Sequence, residues 1–252
     1  MALSENPVAA ERLEWLRTAL RTQGSVRMKD AAEALSVSEM TVRRDLLELE
    51  ALGAARRVRG GAVGLGPSSL ADRHPRQARA KAKIAQKLLA MLPDQGVVAF
   101  DASSTVLRLA SALPGARDLM VLTNGIETFA ALQGKPGVKP VLTGGEDVTG
   151  SGGLVGPIAM RVTAAFHVSH VFCSSAGVDP ESGSSEPDLQ EAEVKREMSR
   201  VATRTVLAVD ASKLGLRSAT VCHEWAVIDA LVTDLAPTAA ALAPYRELTE
   251  LH

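Results

Sequence analysis

Aromatic side chains make up only 3% of the 252 residues: two Trp, one Tyr and four Phe. With 46% of the chain hydrophobic, the core must be built from Ala, Val and Leu. Trp15 and Trp225 therefore read as core anchors rather than stacking platforms. Cysteine is nearly absent. Cys173 and Cys222 stand far apart, which argues against a disulfide framework or a metal pair and suits reduced thiols in a cytoplasm. Long apolar runs and a signal-peptide pattern are also missing, so no membrane anchor is expected.

The net charge of −1 gives no overall attraction to a polyanion, but the charge is unevenly placed. Residues 1–83 carry 15 basic and 10 acidic side chains, and residues 84–252 carry 13 and 19. Only the first third suits nucleic acid. Among His74, His167, His170, His223 and His252 the one close spacing is His167-x2-His170, with Cys173 three residues on. His170 and Cys173 fall in an expected strand, where residues three apart face opposite sides. No metal site, cofactor or Ser-His-Asp arrangement is therefore expected, and the length allows two modest cores.

The most informative stretch runs from Leu35 to Leu46. Ser36 or Ser38 can cap a helix, Glu39 favours its positive end, and Val42, Leu46 and Leu49 recur at helical spacing. One face is thus buried, while Thr41, Arg43, Arg44 and Glu48 lie on the other, as in a recognition helix that meets base edges with its first turns. Asp45 would repel phosphate and is expected to orient a neighbouring arginine. Upstream, Arg12, Leu16 and Leu20 set a first helix, and Val26 to Leu35 is expected to form the supporting second one. Downstream, Arg56-Arg57-Val58-Arg59-Gly60-Gly61-Ala62 is a basic stretch broken by glycines, suited to a two-stranded wing along phosphates.

The register of Arg12, Leu16 and Leu20 with Ser38-x2-Thr41-Val42-Arg43-Arg44-Asp45-Leu46 resembles the N-terminal signature of the DeoR family of bacterial transcriptional regulators. The match covers about 35 positions without a violation. The expected organisation is a winged helix-turn-helix over 1–62, a linker over 63–75 with a Gly/Pro/Ser-rich composition, and an α/β domain over 76–252. Ser38, Thr41, Arg43, Arg44, Arg56, Arg57 and Arg59 are the candidate DNA-binding residues. A lone winged module reads few base pairs, so a homodimer or homotetramer on double-stranded operator DNA is expected.

A helix is expected to begin near Arg76 with Arg79, Lys81 and Lys83 in or near its first turn, although positive charge there is unfavourable by roughly 0.3–1 kcal/mol per residue. Either these cations form a solvated face, or they meet a phosphate of DNA or of a ligand. The spacing of Arg73, Lys81 and Ile84 also resembles the start of the family's C-terminal domain.

From Gly96 onward six short apolar runs alternate with helical stretches: 97–100, 119–122, 139–142, 170–173, 206–209 and 230–233. That alternation predicts a mainly parallel sheet with right-handed crossovers and a ligand crevice at the carboxyl ends of its strands. Pro140 implies that the third run lies at an edge or begins at Val141. The turns at those ends carry Asp101-Ala102-Ser103-Ser104-Thr105, Thr123-Asn124-Gly125, Thr143-Gly144-Gly145-Glu146, Ser174-Ser175-Ala176-Gly177 and Asp210-Ala211-Ser212-Lys213. Ser103, Ser104 and Thr105 open a helix whose free N–H groups suit a phosphate, and Lys213 adds positive charge. Asp101, Asn124 and Glu146 are then available to sugar hydroxyls.

These turns, with Leu154-Val155-Gly156-Pro157, Glu191, and Val194-Lys195, are similar to the family's sensor-domain motifs. The resemblance implies a domain like ribose-5-phosphate isomerase that binds a phosphorylated sugar, with Asp101, Ser103, Ser104, Thr105, Thr123, Asn124, Gly144, Gly145, Glu146 and Lys213 as effector contacts. Departures from the pattern are Ser103 at a usual glycine position, Ser174-Ser175-Ala176 in place of Gly-Ala-Asp or Gly-Ala-Thr, and Val148 and Gly150 where arginines are common. The expected function is a repressor of a sugar operon controlled by a phosphorylated sugar. The competing reading is a sugar-phosphate isomerase with an appended DNA-binding module. Isomerisation needs a carboxylate base, which the related enzymes place where this chain has Ala176, and Glu186, Glu191, Glu193 and Lys195 read as a solvated face. No enzymatic activity is therefore expected.

Overall fold

The computed structural model describes residues 8–51, 55–58, 60–64, 77–147 and 151–252. Contacts divide the chain into two units, Met1–Arg76 and Gln77–His252.

The first unit contains α1 (Ala9–Gln23), β1 (Ser25–Arg27), α2 (Met28–Ala34), α3 (Glu39–Ala51), β2 (Ala55–Val58) and β3 (Gly61–Gly64). Leu16 and Leu20 of α1 pack with Ala31, Leu35, Val42, Leu46 and Leu49 in one apolar cluster. The expected second helix is shorter than its sequence pattern. Val26 lies instead in β1, which pairs with β3 and turns the wing into a three-stranded sheet of order β1-β3-β2. Val26 still reaches the core, because alternation along a strand also buries it. A Cβ on Gly61 would sit 2.0 Å from the Val26 carbonyl oxygen, so only glycine allows this pairing. Val63 and Gly64 are paired residues of β3, so the first unit runs past the expected boundary at residue 62. The linker residues 65–75, Arg73 among them, lie outside the described residues, as do Arg59, Val148 and Gly150.

The second unit runs α4 (Ala78–Met91), β4 (Gln95–Phe100), α5 (Ser104–Ala112), β5 (Asp118–Thr123), α6 (Ile126–Leu132), β6 (Val138–Leu142), β7 (Glu146–Asp147), β8 (Leu154–Val155), α7 (Gly156–Ala164) and β9 (Val168–Cys173). It continues with β10 (Gly177–Asp179), β11 (Gly183–Glu186), α8 (Leu189–Arg200), β12 (Ala202–Ala208), β13 (Thr220–His223), β14 (Ala230–Val232) and β15 (Glu250–Leu251). All six expected strands lie in one parallel sheet of order β15-β14-β12-β9-β4-β5-β6, and Pro140 is on its edge strand.

One face of the sheet packs against α4 and α5 through Ile84, Leu88, Val106 and Leu109. The other packs against α7 and α8 through Ala159, Val194 and Met198. Both faces are covered, which is why the strands are continuous apolar runs instead of alternating ones. Phe100 and Phe172 meet edge to face across β4 and β9, with ring centroids 5.6 Å apart, a contact worth about 0.5–1.5 kcal/mol beyond its area. Trp225 and Tyr245 pack as a pair in the second cluster.

From β4 the chain adds strands to one side (β5, β6), and from β9 it adds them to the other (β12, β14, β15). The order therefore reverses between β4 and β9, and the crevice beyond their carboxyl ends is where such sheets bind ligands. A second, antiparallel sheet of order β10-β11-β13 lies outside the six expected strands. Among the described residues no helix is long and apolar enough to cross a membrane.

Candidate functional site

Two sites emerge, one in each unit. In the first, Ser38 caps α3: its Oγ accepts the Thr41 N–H at 3.2 Å, and the two hydroxyl oxygens lie 3.0 Å apart. The cap is thus Ser38 and not Ser36. Arg43 and Arg44 stand exposed on the face opposite buried Val42, Leu46 and Leu49, with Glu48 beside them. Asp45 is 3% exposed and receives two hydrogen bonds from Arg12 of α1. The arginine it orients is therefore the one that opens the sequence signature. In the wing, Arg57 donates to Glu50 at 2.8 Å. Arg56 lies in β2 with its side chain outside the described residues, and Arg59 lies outside them altogether.

In the second unit, buried polar groups gather at the carboxyl ends of β4 and β9, the point where the strand order reverses. Asp101 is fully buried and its carboxylate accepts from the Ser103 N–H at 3.0 Å and the Ser174 N–H at 2.9 Å. Lys195 of α8 stands 3.2 Å from Asp101 and 2.5 Å from Glu186, and also donates to the Ser174 carbonyl at 2.8 Å. Each oxygen of Asp101 already holds an internal partner, so a sugar hydroxyl would share the carboxylate with the protein. One expectation is overturned: Glu186, Glu191 and Lys195 are not a solvated face. Glu186 belongs to strand β11, and all three are buried.

Burial opposes the charge on Lys195, but Glu186, Asp101 and Glu191 together hold its pKa well above the ordinary lysine value. Burial pushes the Glu186 carboxyl up, against the pull of Lys195.

Ser103 caps α5 by accepting the Val106 N–H at 3.2 Å. Beside it, Ser104 receives a hydrogen bond from Lys81 Nζ at 2.9 Å. Lys81 is 3% exposed, so the solvated alternative for the basic start of α4 fails for this residue, while Arg79 and Lys83 are exposed. The Lys81 ammonium therefore stands at the N-terminus of α5, where an anion would meet both a positive charge and the positive end of the helix. Two buried oxygens here have no hydrogen-bond partner: Thr105 Oγ1 and Asn124 Oδ1. The Asn124 amide donates to the Leu154 carbonyl at 3.0 Å, which fixes the side chain. Thr123 Oγ1 accepts the Gly125 N–H at 3.0 Å.

Gly144 and Gly145 both adopt positive φ, and a Cβ on Gly145 would lie 2.4 Å from the Val155 carbonyl oxygen. Glu146 is exposed. Lys213 donates to Ser174 Oγ at 3.2 Å and to the Ser175 carbonyl at 2.5 Å, so it lies on the β9 side of the crevice. The structure thus brings Asp101, Ser103 and Lys195 into one network that reaches Lys213 through Ser174, while Lys81 and Ser104 form a separate contact at the start of α5.

Both cysteines are free and buried, and burial pushes the Cys222 thiol up to about 12. Among the described residues no three His, Cys, Asp or Glu side chains are grouped to hold a metal.

A capped helix-turn-helix with a wing, carried on the same chain as an α/β unit with a polar crevice at its strand ends, is the build of a DNA-binding regulator with a sensor domain. Residues 12–66 match the DeoR-like helix-turn-helix domain and residues 76–235 match the DeoR C-terminal sensor domain; the chain belongs to the DeoR family of transcriptional regulators. It is 31% identical to the HTH-type transcriptional regulator GolR of Listeria innocua over 85% of this chain and 86% of that one. It is 32% identical to the lactose phosphotransferase system repressor of Streptococcus mutans, over 89% and 91% of the two chains. Ribose 5-phosphate isomerase A from Methanocaldococcus jannaschii is similar over 53% of each chain, with 14% identity and a TM-score of 0.39.

Proposed function

We infer that this regulator represses a sugar operon and that a phosphorylated sugar, bound in the crevice of the second unit, controls its affinity for the operator. The observation that carries the effector site is the pair of unpartnered buried oxygens, Thr105 Oγ1 and Asn124 Oδ1, at neighbouring strand ends beside the Lys81–Ser104 contact. A buried polar atom left without a partner costs about 1–3 kcal/mol, a cost that a polyhydroxylated ligand removes on binding. The free N–H groups of α5 and the ammonium of Lys81 receive the phosphate, with Lys213 adding charge from the β9 side. Asn124 and Thr105 meet hydroxyls. Thr123, Gly144 and Gly145 shape the wall, and Glu146 stands at the rim. Asp101 holds the turn in place through Ser103, Ser174 and Lys195.

In the first unit, α3 enters the major groove. Arg43 and Arg44 lie at the DNA surface with at least one of them reading a base edge, Ser38 and Thr41 fix the first turn, and Arg56, Arg57 and Arg59 hold phosphates. The protein acts as a homodimer or homotetramer in the cytoplasm, since a single wing and helix read too few base pairs for genomic specificity. It performs no isomerisation. Ala176 offers no base, and both carboxylates nearest to it in function, Asp101 and Glu186, are tied to Lys195.

The test is a melting-temperature screen of the whole protein against phosphorylated and unphosphorylated sugars. A ligand at 100 times its Kd adds about 2.7 kcal/mol to the unit that binds it. Stabilisation by a phosphorylated sugar, abolished in Thr105→Val, supports the site. No stabilisation by any of them refutes it.

A further inference from the structure

Met40 is 65% exposed, the most exposed of the large apolar side chains among the described residues. It is the second residue of α3, and the same helix buries Val42, Leu46 and Leu49 completely. The helix therefore has a core face, and Met40 is not on it. Residues three and four apart share a helix face, so Met40 stands with Arg43 and Arg44, and one turn further on with Leu47, which is 43% exposed. The Ser38–Thr41 cap holds the turn that carries it.

We propose that Met40 is a specificity-determining residue that packs against the 5-methyl group of a thymine in the major groove of the operator. This rests on α3 being the reading helix. The thymine methyl is the one apolar group that any base pair presents in that groove, and the arginines beside Met40 are matched to the acceptor edge of guanine. A phosphate contact is the wrong chemistry for a thioether, and Glu39 next to it would repel one. The unbranched thioether adapts its rotamers to a small apolar target, so the contact needs no pocket. Leu47 extends the apolar strip along the same face, which makes Met40 and the arginines alternate between apolar and hydrogen-bonding readout.

The experiment uses the full chain and duplexes that it selects from a random-sequence library. In a selected duplex each thymine is replaced in turn by deoxyuridine, which removes only the methyl group, and affinity is measured by fluorescence anisotropy. Wild type is expected to lose about three- to fivefold at one defined thymine, the weight of one methyl group taken out of water. Met40→Ala is expected to lose affinity for the thymine duplex to a similar extent, to ignore uracil at that position, and to melt at the wild-type temperature. The proposal is overturned if no thymine is sensitive, if Met40→Ala keeps the wild-type sensitivity, or if Met40→Ala changes the oligomeric state instead of base preference. Arg43→Ala and Arg44→Ala separate the two levels. If they weaken binding while Met40→Ala does not, only the Met40 assignment falls; if none of the three does, α3 is not the reading helix.

Discussion

The guanidinium of Arg12 grips the carboxylate of Asp45 with Nε to Oδ2 at 2.7 Å and Nη2 to Oδ1 at 3.1 Å, joining the first helix to the middle of the third. Two parallel bonds fix the angle between the helices as well as their distance. Arg12→Ala leaves a carboxylate with 4% side-chain exposure unpaired, and should destabilise the first unit by about 1–3 kcal/mol. A double-mutant cycle of Arg12→Ala with Asp45→Ala, followed by urea unfolding, measures the coupling. Additive losses would show that the pair contributes nothing.

Lys195 carries more. Replacing it with Met leaves Asp101 and Glu186 buried without a cation, and breaking such a pair typically costs about 3–5 kcal/mol. Adding Glu186→Gln to Lys195→Met should recover a measurable part of that loss, because one of the two stranded charges disappears. Thermal unfolding of both variants decides the point; a double variant no more stable than the single one would place the cost elsewhere.

His223 gives the second unit a pH dependence. Its ring lies between Ser184 Oγ at 3.2 Å and Ser199 Oγ at 2.9 Å, tying β13 to β11 and α8. Burial lowers its pKa from 6.5 to about 4, with Lys195 and Arg196 adding to the effect and a hydrogen bond to the Lys195 carbonyl opposing it. Between those values the unfolded chain binds a proton that the folded chain refuses. Stability is therefore full above pH 6.5 and falls as pH drops towards 4, by roughly 3 kcal/mol at the lower end. His223→Gln should flatten this part of the profile. Equal slopes for wild type and variant between pH 7 and 5 would contradict the assignment.

The parallel sheet is legible because each buried strand is a short run of Val, Leu, Ala or Phe, and α3 because its cap and apolar stripe are local. The antiparallel sheet is not. Gly177–Asp179, Gly183–Glu186 and Thr220–His223 are short and polar, and β11 finds β13 more than thirty residues away. The Asp101–Lys195–Glu186 network was hidden by the same distance. One local signal did exist: Lys195 falls on the stripe of Glu191, Val194 and Met198, the buried side of α8, where a lysine must have a partner. Lys81 offers the same clue on the stripe with Ile84, Ala85 and Leu88.

The wing and the reading helix should respond differently to salt. With Arg57 proposed to hold a phosphate once it leaves Glu50, Arg57→Ala should weaken binding to all duplexes alike and flatten the salt slope by about one unit. Arg44→Ala should cost about 1–3 kcal/mol and relax preference at one base position. Salt titrations on specific and random duplexes separate the two patterns. A specificity loss in Arg57→Ala with an unchanged slope would reverse the roles.

Control of operator affinity by a phosphorylated sugar is tested most directly by titrating the whole protein onto a fluorescent selected duplex, with and without each of a panel of phosphorylated sugars. The account predicts that at least one shifts the affinity by roughly 5–150-fold, that its unphosphorylated form does not, and that Asn124→Ala and Thr105→Val bind the duplex normally but lose the response. A panel in which no phosphorylated sugar shifts the titration, or variants that respond as wild type does, would contradict it.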